Sequence, residues 1–321
     1  MTGERRPFRF GVVGEGVRSA EALVATARRA EDLGYSTFLL RDHLVAEPFG
    51  VQLAPLVALT AAAAATRTLR VGTLVLGNDY RHPAFLAKEI ATLDEVSGGR
   101  VELGLGAGWL REEYERAGLP FERAGLRIER LGESVRILKG LLSGEKLTAE
   151  GTHYHIDGLE SFPAAVQRPH PPVLIGGASR RILRLAGQEA DIVGLMSSRA
   201  LPDGSLDGDL AARSPEALRE RIGWVREGAG DRFDQVELSA LVTVEVGADE
   251  RALAARTAVE RGWGARATEA VLRMPTRLLG PVPRIIEQAR RLATDFGVTY
   301  LAVSDQDMEV FAPVVAALAG R

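Results

Sequence analysis

Eight short apolar runs, alternating with longer amphipathic stretches, constrain the fold of this chain more than any other feature. Runs rich in Val, Leu, Ile and Phe with helical patterns between or after nearly all of them are typical of βα units with a parallel sheet buried on both faces. Eight strands with crossovers favour an α/β fold closed into a (β/α)8 (TIM) barrel, formed by residues 1–321 as one domain. The predicted strands are Phe8–Val13, Ser36–Arg41, Leu69–Gly77, Arg100–Gly106, Pro172–Gly176, Asp191–Leu195, Val236–Val246 and Val298–Ser304.

Two stretches interrupt this alternation. Residues 143–172 contain four prolines, and residues 197–213 are rich in Gly, Asp and Ala. We predict a loop insertion in each. The second follows the sixth strand and so lies on the C-terminal rim, where barrel enzymes place their sites, whereas the first follows the fourth helix and could fold back to that rim.

Composition limits the partners and the chemistry. A formal charge of −3, from 40 Lys and Arg against 43 Asp and Glu, creates no field that would attract nucleic acid or an anionic membrane. The absence of cysteine excludes disulfides and thiol nucleophiles. The apolar stretch Leu53–Ala65 is shorter than the ~20 residues of a membrane span, and the N-terminus lacks the apolar segment of a signal peptide. We expect a cytoplasmic protein without a nucleic-acid or membrane partner.

Three charged residues, Arg41, Asp42 and His43, directly follow the second predicted strand. At the barrel mouth a carboxylate can orient a cofactor, and an imidazole can move a proton near neutral pH. The alternative is a strand-end polar cluster that satisfies loop backbone groups. Spacing alone does not decide between these two interpretations.

The fourth predicted strand runs into a glycine-rich turn, Leu103–Trp109, that contains Gly106, Ala107 and Gly108. Glycines allow a planar ligand or a phosphate to approach the backbone, and Trp109 offers a large apolar face beside it. The spacing Gly-x-Gly-x-Gly differs from the dinucleotide fingerprint Gly-x-Gly-x-x-Gly, so the glycines alone are weak support for a cofactor site.

A second turn, containing Gly176, Gly177, Ala178 and Ser179, joins the fifth predicted strand to a helix. Backbone N–H groups at a helix N-terminus can bind the phosphate of a cofactor. A tight turn that needs glycine geometry is the alternative. The following Arg180–Arg181 pair favours phosphate because it adds positive charge.

Two other polar groups have simpler explanations. Arg81 follows the third predicted strand and could pair with an acidic ligand, but arginines in such positions more often pair with a carboxylate of their own protein. His153 and His155 resemble a metal pair, but no third or fourth ligand lies nearby in the sequence, so we assign them to a strand or turn of the insertion and predict no metal.

Taken in order, these segments resemble the luciferase-like monooxygenase superfamily, in particular its branch that depends on the deazaflavin coenzyme F420. The resemblance spans most of the chain. The positions that carry it are Arg41–Leu44, Val71–Leu76, Arg81–Pro83, Thr92–Asp94 with Ser97–Arg100, Leu103–Trp109, Glu113–Tyr114, Arg127 with Glu133, and Ile175–Gly177 with Ala190–Asp191.

The resemblance implies an oxidoreductase that binds F420 at the barrel mouth and transfers a hydride between the deazaflavin and a small organic substrate. The alternative that it leaves open is an FMN-dependent monooxygenase on the same fold. The resemblance implies a cis peptide between Leu74 and Val75 behind the cofactor ring, Asp42 and His43 near the reactive edge of the ring, and the turn after the fifth strand around the phosphate. It also implies a homodimer. Some sugar-phosphate dehydrogenases of this branch have a glutamate proton donor where this chain has Trp109, so we expect Trp109 to pack against cofactor or substrate. A non-catalytic flavin-binding protein is the remaining alternative.

Overall fold

Eight parallel strands form a closed barrel in the computed structural model, which describes residues 6–198 and 208–321. Each of these barrel strands, here called staves, pairs with its neighbours in parallel. A pairing between the third and fourth staves closes the ring. The predicted TIM barrel is confirmed. Its staves are β1 (Arg9–Val13), β2 (Thr37–Leu40), β3 (Arg70–Thr73) continued by β4 (Leu76–Gly77), β5 (Val101–Gly106), β8 (Val173–Gly177), β9 (Ile192–Leu195), β10 (Glu237–Leu241) and β13 (Val298–Ser304).

Helices cover the outside of the barrel, and several begin or end at residue types that are common at helix ends. Ser19 and Ser214 accept a backbone N–H at the start of their helices, and Gly98 ends another in a left-handed conformation. The helices are α1 (Ala20–Asp32), α2 (Pro55–Ala65), α3 (Pro83–Ser97), α4 (Arg111–Ala117), α5 (Ala124–Ser143), α6 (Arg180–Glu189), α7 (Pro215–Ala229), α8 (Glu250–Glu260), α9 (Thr268–Leu272), α10 (Val282–Phe296) and α11 (Met308–Leu318).

The third stave contains a bulge. Gly72 lies opposite Glu102 and Leu76 opposite Leu105, so this stave has one more residue between these pairs than its neighbour. The extra length lies around the Leu74–Val75 peptide, which is cis as the sequence resemblance predicts. Leu74 packs against two apolar clusters inside the barrel.

Three parts of the chain differ from the predicted strand pattern. The predicted strand Val236–Val246 is two strands, because β11 (Thr243–Val246) leaves the barrel and pairs with β12 (Arg277–Gly280), a strand that is not among the predicted ones. The insertion at 143–172 is not a plain loop: it contains the antiparallel hairpin of β6 (Leu147–Glu150) and β7 (His155–Leu159). Most of the insertion predicted at 197–213 lies outside the described residues.

A charged network occupies the barrel near the N-terminal ends of the strands. The Glu102 carboxylate is 2% exposed and accepts hydrogen bonds from Arg9 at 2.6 Å, Arg70 at 2.8 Å and the Tyr300 hydroxyl at 3.1 Å. Arg9 also makes a bidentate pair with Glu237. The network therefore connects five staves, four of which meet at the buried carboxylate of Glu102.

Among residues 6–198 and 208–321, no helix is both long enough and apolar enough to cross a membrane.

Candidate active site

An apolar wall stands at the C-terminal mouth of the barrel, where the third stave bulges. Leu74 and Val75 are half-buried there, and the Leu74 N–H donates to the carbonyl of Leu40 at the end of β2. Val75 extends across the neighbouring staves: Cβ atoms built on Gly106 and Gly176 would lie 2.6 Å and 3.5 Å from its methyl groups. The predicted wall residues and both glycine turns therefore meet at one place.

His43 lies on this rim, directly after β2, with 11% of its side chain exposed. Its Nδ1 is 3.0 Å from Oε1 of Glu113 at the start of α4. The same oxygen accepts the Leu44 N–H at 2.6 Å, while Oε2 accepts the Tyr80 hydroxyl at 2.9 Å. Glu113 thus receives donors from two separate rim segments.

The electrostatics of this group keep Glu113 ionised. Burial raises the pKa of the Glu113 carboxyl, but the hydrogen bonds from His43, Tyr80 and the Leu44 N–H outweigh that effect and hold its pKa below the ordinary value. Burial and the nearby Glu113 charge raise the pKa of Tyr80, so its phenol remains a donor. The carboxylate is therefore an acceptor for every group around it.

Two aromatic rings lie next to the imidazole of His43. The ring centroids of His43 and Phe49 are 4.7 Å apart, and that of Trp109 lies 6.0 Å from His43 and 6.2 Å from Phe49. The Arg41 guanidinium lies over Phe49 at 4.4 Å and pairs with Glu15 at 2.5 Å. The rim next to the imidazole is consequently aromatic, and the guanidinium of Arg41 is paired with a carboxylate of the chain.

Asp42 has a partner within the protein. Its carboxylate pairs with Arg81 at 2.5 Å and also accepts the Gly77 N–H at 3.1 Å. Arg81 therefore follows the simpler interpretation, pairing with an acid of its own chain. These bonds connect the end of β2 to the segment that contains Gly77 and Arg81, which follows the bulge. Asp42 can therefore affect a cofactor by positioning that segment as well as by direct contact.

The glycine-rich turn after β5 has local packing reasons for its small residues. Gly108 has φ of 72°, and a Cβ there would lie 1.8 Å from the Tyr114 hydroxyl. The buried Arg127 donates to the carbonyls of Ala107 at 3.0 Å and Gly108 at 3.3 Å. This arrangement fixes the backbone immediately before Trp109.

The turn between β8 and α6 leaves donors open to an anion. Ser179 occupies the N-cap position of α6 but makes no side-chain capping bond, and the first-turn N–H groups of a helix have no partner within the helix. Arg180 and Arg181 point elsewhere, because they pair with Glu227 and Glu129 on the surface. The positive charge that they place at this end of α6 is therefore paired with carboxylates of the chain itself.

The hairpin inserted after α5 reaches the same rim. Glu133 accepts the backbone N–H groups of Thr152, His153 and Tyr154, and the Tyr154 hydroxyl lies 3.4 Å from the Asn78 amide nitrogen. His153 is in the turn and His155 begins β7, as predicted, and the latter pairs with Glu150 across the hairpin. In the part of the chain that the structure describes, no three His, Asp or Glu side chains group as metal ligands.

Sequence reasoning about single motifs assigned no role to several residues of this rim. Tyr80 and Phe49 carry no signal that distinguishes them from ordinary loop aromatics. Glu113 belongs to one of the segments behind the family resemblance, yet its partner is 70 positions away in the chain. Only the fold places that carboxylate against His43.

A profile of the family described as luciferase-like monooxygenase matches residues 7–296. The chain belongs to this family. The match covers nearly the whole barrel, including all the rim residues described above, and it confirms the sequence-based resemblance.

Two relatives with established names illustrate the range within the family. An F420-dependent glucose-6-phosphate dehydrogenase of Nakamurella multipartita is 34% identical over 258 residues, which are 77% of this chain and 70% of the relative. An FMNH2-dependent dimethylsulfone monooxygenase of Pseudomonas putida is 33% identical over 128 residues, 40% of this chain and only 35% of that protein. Both are named as oxidoreductases, in line with the predicted enzyme class.

Solved structures agree on the fold. The F420-dependent tetrahydromethanopterin reductase of Methanopyrus kandleri superposes with a TM-score of 0.75 at 19% identity, over 98% of this chain and 99% of that one. An F420-dependent secondary alcohol dehydrogenase gives 0.74 at 18% identity, covering 97% and 99%. The EDTA monooxygenase of Chelativorans gives 0.75 at 14% identity, covering 97% and 94%. At these identities the likeness establishes the barrel alone.

Proposed function

We propose that this protein is an F420-dependent oxidoreductase that transfers a hydride between the deazaflavin and a small organic substrate. The observation that carries the proposal is the convergence at one rim of the Leu74–Val75 wall, His43 and the open N-terminus of α6. Of the two relatives described above, the glucose-6-phosphate dehydrogenase matches more of this chain, and its name states that it depends on F420. This match favours the deazaflavin over FMN as the cofactor.

The residues present fit such a cofactor. The half-buried Leu74 and Val75 offer an apolar surface for one face of a planar ring. A Cβ on Gly176 would meet only Val75 and, at 4.0 Å, a backbone oxygen, so this glycine leaves room at the wall. The N–H groups after Ser179 would hold the phosphate, helped by the positive end of the α6 dipole.

F420, when bound, supplies a carbon that accepts or donates a hydride, and the chain's own residues supply the rest. When an alcohol or similar group is oxidised, two electrons and one proton leave the substrate carbon as hydride, and a second proton leaves the heteroatom. His43 would accept that proton and pass it to water; in the reducing direction it would donate one. The surrounding aromatic rings would exclude water from the reacting atoms.

The first experiment is a titration of the purified protein with F420 and, separately, FMN, followed by ligand fluorescence. We expect tight binding of F420 and weaker binding of FMN. The opposite preference would favour an FMN-dependent monooxygenase, for which oxygen consumption with FMNH2 is the direct assay. Binding without redox turnover across a substrate panel would favour a non-catalytic carrier or sensor, and binding of neither ligand would remove the proposed site.

A substitution at Gly176 separates close cofactor approach from a simple tight turn. We expect Gly176→Ala to weaken F420 binding about tenfold, equivalent to ~1.4 kcal/mol, because the added methyl has ordinary contacts within the protein but would crowd the ligand. The melting temperature should stay unchanged. Gly223→Ala on α7, where a Cβ meets nothing within 4 Å, is the matched control. Unchanged affinity in Gly176→Ala would argue against ligand contact there.

Trp109 makes glucose-6-phosphate an unsuitable substrate in this proposal, although relatives are named for that sugar phosphate. An indole cannot provide the proton of a carboxyl group. Trp109 packs edge-on near His43 and Phe49, which supports a role in contacting the cofactor or a substrate with apolar surface.

We also propose that the protein is a cytoplasmic homodimer without a nucleic-acid partner. Large apolar side chains are exposed along the outer side of α2 and α3: Val57 at 75%, Phe85 at 73% and Phe162 at 67%. The Lys88 ammonium on α3 donates to the Phe162 carbonyl at 2.7 Å, which places Phe162 beside that helix. Such a patch is typical of a subunit interface.

Light scattering coupled to size exclusion tests the dimer. We expect the wild type to have the mass of two chains and the double variant Phe85→Lys/Phe162→Lys to have the mass of one, because two charges would be buried unpaired at the interface. Val259→Lys, on α8 and 61% exposed, should remain dimeric. A monomeric wild type, or a dimeric double variant, would refute this assignment.

A further inference from the structure

We propose that Glu113 is a positioning residue that holds the proton of the neutral His43 imidazole on Nδ1, leaving Nε2 as the ring atom that exchanges a proton with the substrate. This inference rests on the proposed function, in which His43 is the proton-transfer residue. It adds a specific atom and a second residue to that role.

The argument begins with the hydrogen-bonding capacity of the carboxylate. Glu113 is 2% exposed, and Oε1 already accepts the Leu44 N–H at 2.6 Å, with the Val45 N–H at 3.4 Å. An ionised carboxylate is only an acceptor. The short contact of 3.0 Å between Oε1 and His43 Nδ1 is therefore a hydrogen bond only if Nδ1 carries the proton.

The next step concerns the other end of Glu113. Tyr80 donates its hydroxyl to Oε2 at 2.9 Å, and burial together with the carboxylate charge raises the pKa of that phenol, so the phenol keeps the proton that it donates. Donors thus surround both carboxylate oxygens. The carboxylate stays charged and cannot rotate without losing hydrogen bonds.

The consequence for His43 follows from imidazole chemistry. In a neutral ring one nitrogen is the donor and the other the acceptor, and the partner of one nitrogen decides the state of the other. With Nδ1–H directed at Glu113, Nε2 retains its lone pair. The hydrogen bond to Glu113 therefore sets the tautomer of the imidazole and helps to orient it. The ring of Phe49, with its centroid 4.7 Å away, packs against the imidazole in that orientation.

The test measures the tautomer directly. Long-range 1H–15N correlation spectra of the 15N-histidine-labelled full chain would be recorded at pH 8.5 with and without F420, with the His43 signals assigned from the spectrum of His43→Asn. We expect Nδ1 to be protonated in the wild type and this preference to be lost in Glu113→Gln, whose side chain no longer carries the charge. Glu133→Gln, which removes a carboxylate bonded to the hairpin turn instead, should leave the His43 signals unchanged.

Kinetics provide a second readout once a substrate panel has identified a turnover reaction. We expect Glu113→Gln to lower kcat about 10- to 100-fold, within the range of proton-transfer contributions, with the Kd for F420 changed less than about twofold. An unprotonated Nδ1 in the wild type, or the same tautomer in wild type and Glu113→Gln, would overturn the inference. Failure to bind F420 would instead refute the proposed function, and the tautomer measurement on the free protein would still decide the role of Glu113.

Discussion

Replacing His43 by alanine is expected to lower the turnover of F420 with its substrate about 100- to 10,000-fold, the range attributed to a positioned proton-transfer group. The affinity for F420 should change far less, because the wall of Leu74 and Val75 and the N-terminus of α6 are untouched. Absorbance of the oxidised deazaflavin measures the first quantity, and fluorescence titration measures the second.

A control for this experiment exists within the chain. His155 is an exposed histidine that pairs with Glu150 on the inserted hairpin, so His155→Ala should keep wild-type turnover. If His43→Ala also retained wild-type turnover, the imidazole would have no part in the mechanism. The hydrogen bond between Glu113 and His43 in the wild type would then have a structural role only.

The second large effect concerns stability. We expect Glu102→Gln to lower the free energy of unfolding by about 3–5 kcal/mol, the range observed when one member of a buried ion pair is removed. The side chain of Glu102 is 2% exposed and those of Arg9 and Arg70 are 24% and 26% exposed, so water compensates little for the lost charge. Because Arg9 retains Glu237, the lower end of the range is the expected one.

Urea denaturation at pH 7 measures this loss. Glu309→Gln, which breaks an exposed pair with Arg29, is the matched control and should keep the wild-type midpoint, as is usual for surface pairs. An unchanged midpoint in Glu102→Gln would show that the network inside the barrel contributes no net stability.

The pH dependence of that difference has a definite sign. Burial raises the pKa of Glu102, but Arg9 and Arg70 outweigh it, so the folded-state pKa lies below the ordinary value. A lowered folded-state pKa contributes stability above the unfolded value of about 4.3, and this contribution is lost as the pH falls through the folded-state pKa. The gap between wild type and Glu102→Gln should therefore be complete at pH 7 and shrink below about pH 4.

Local sequence signals predicted the frame of the barrel well. The apolar runs placed all eight staves, and helices begin or end at Ser19, Gly98 and Ser214, which are residue types that favour helix ends. These signals depend on neighbours within a few positions, through strand burial and the hydrogen bonds of helix ends, so they can be read without knowing the fold.

The errors occurred where a long-range pairing decided the outcome. The run Val236–Val246 was predicted to be one strand, but its second half pairs with β12, more than 30 residues further along the chain. In the insertion at 143–172, prolines suggested a loop, whereas pairing between β6 and β7 forms a hairpin. An apolar run reports that a segment is buried and does not report which partner buries it.

The sequence by itself determined the eight-stranded barrel, its helix ends and, through family resemblance, the cis peptide at Leu74–Val75. Tertiary structure alone decided that Glu113 lies against His43, 70 residues away, and that Arg81 pairs with Asp42 across 39 residues. The physical reason is that strands and helices follow from local periodicity, whereas a hydrogen bond between distant side chains exists only after the staves have closed and brought their C-terminal ends to one rim.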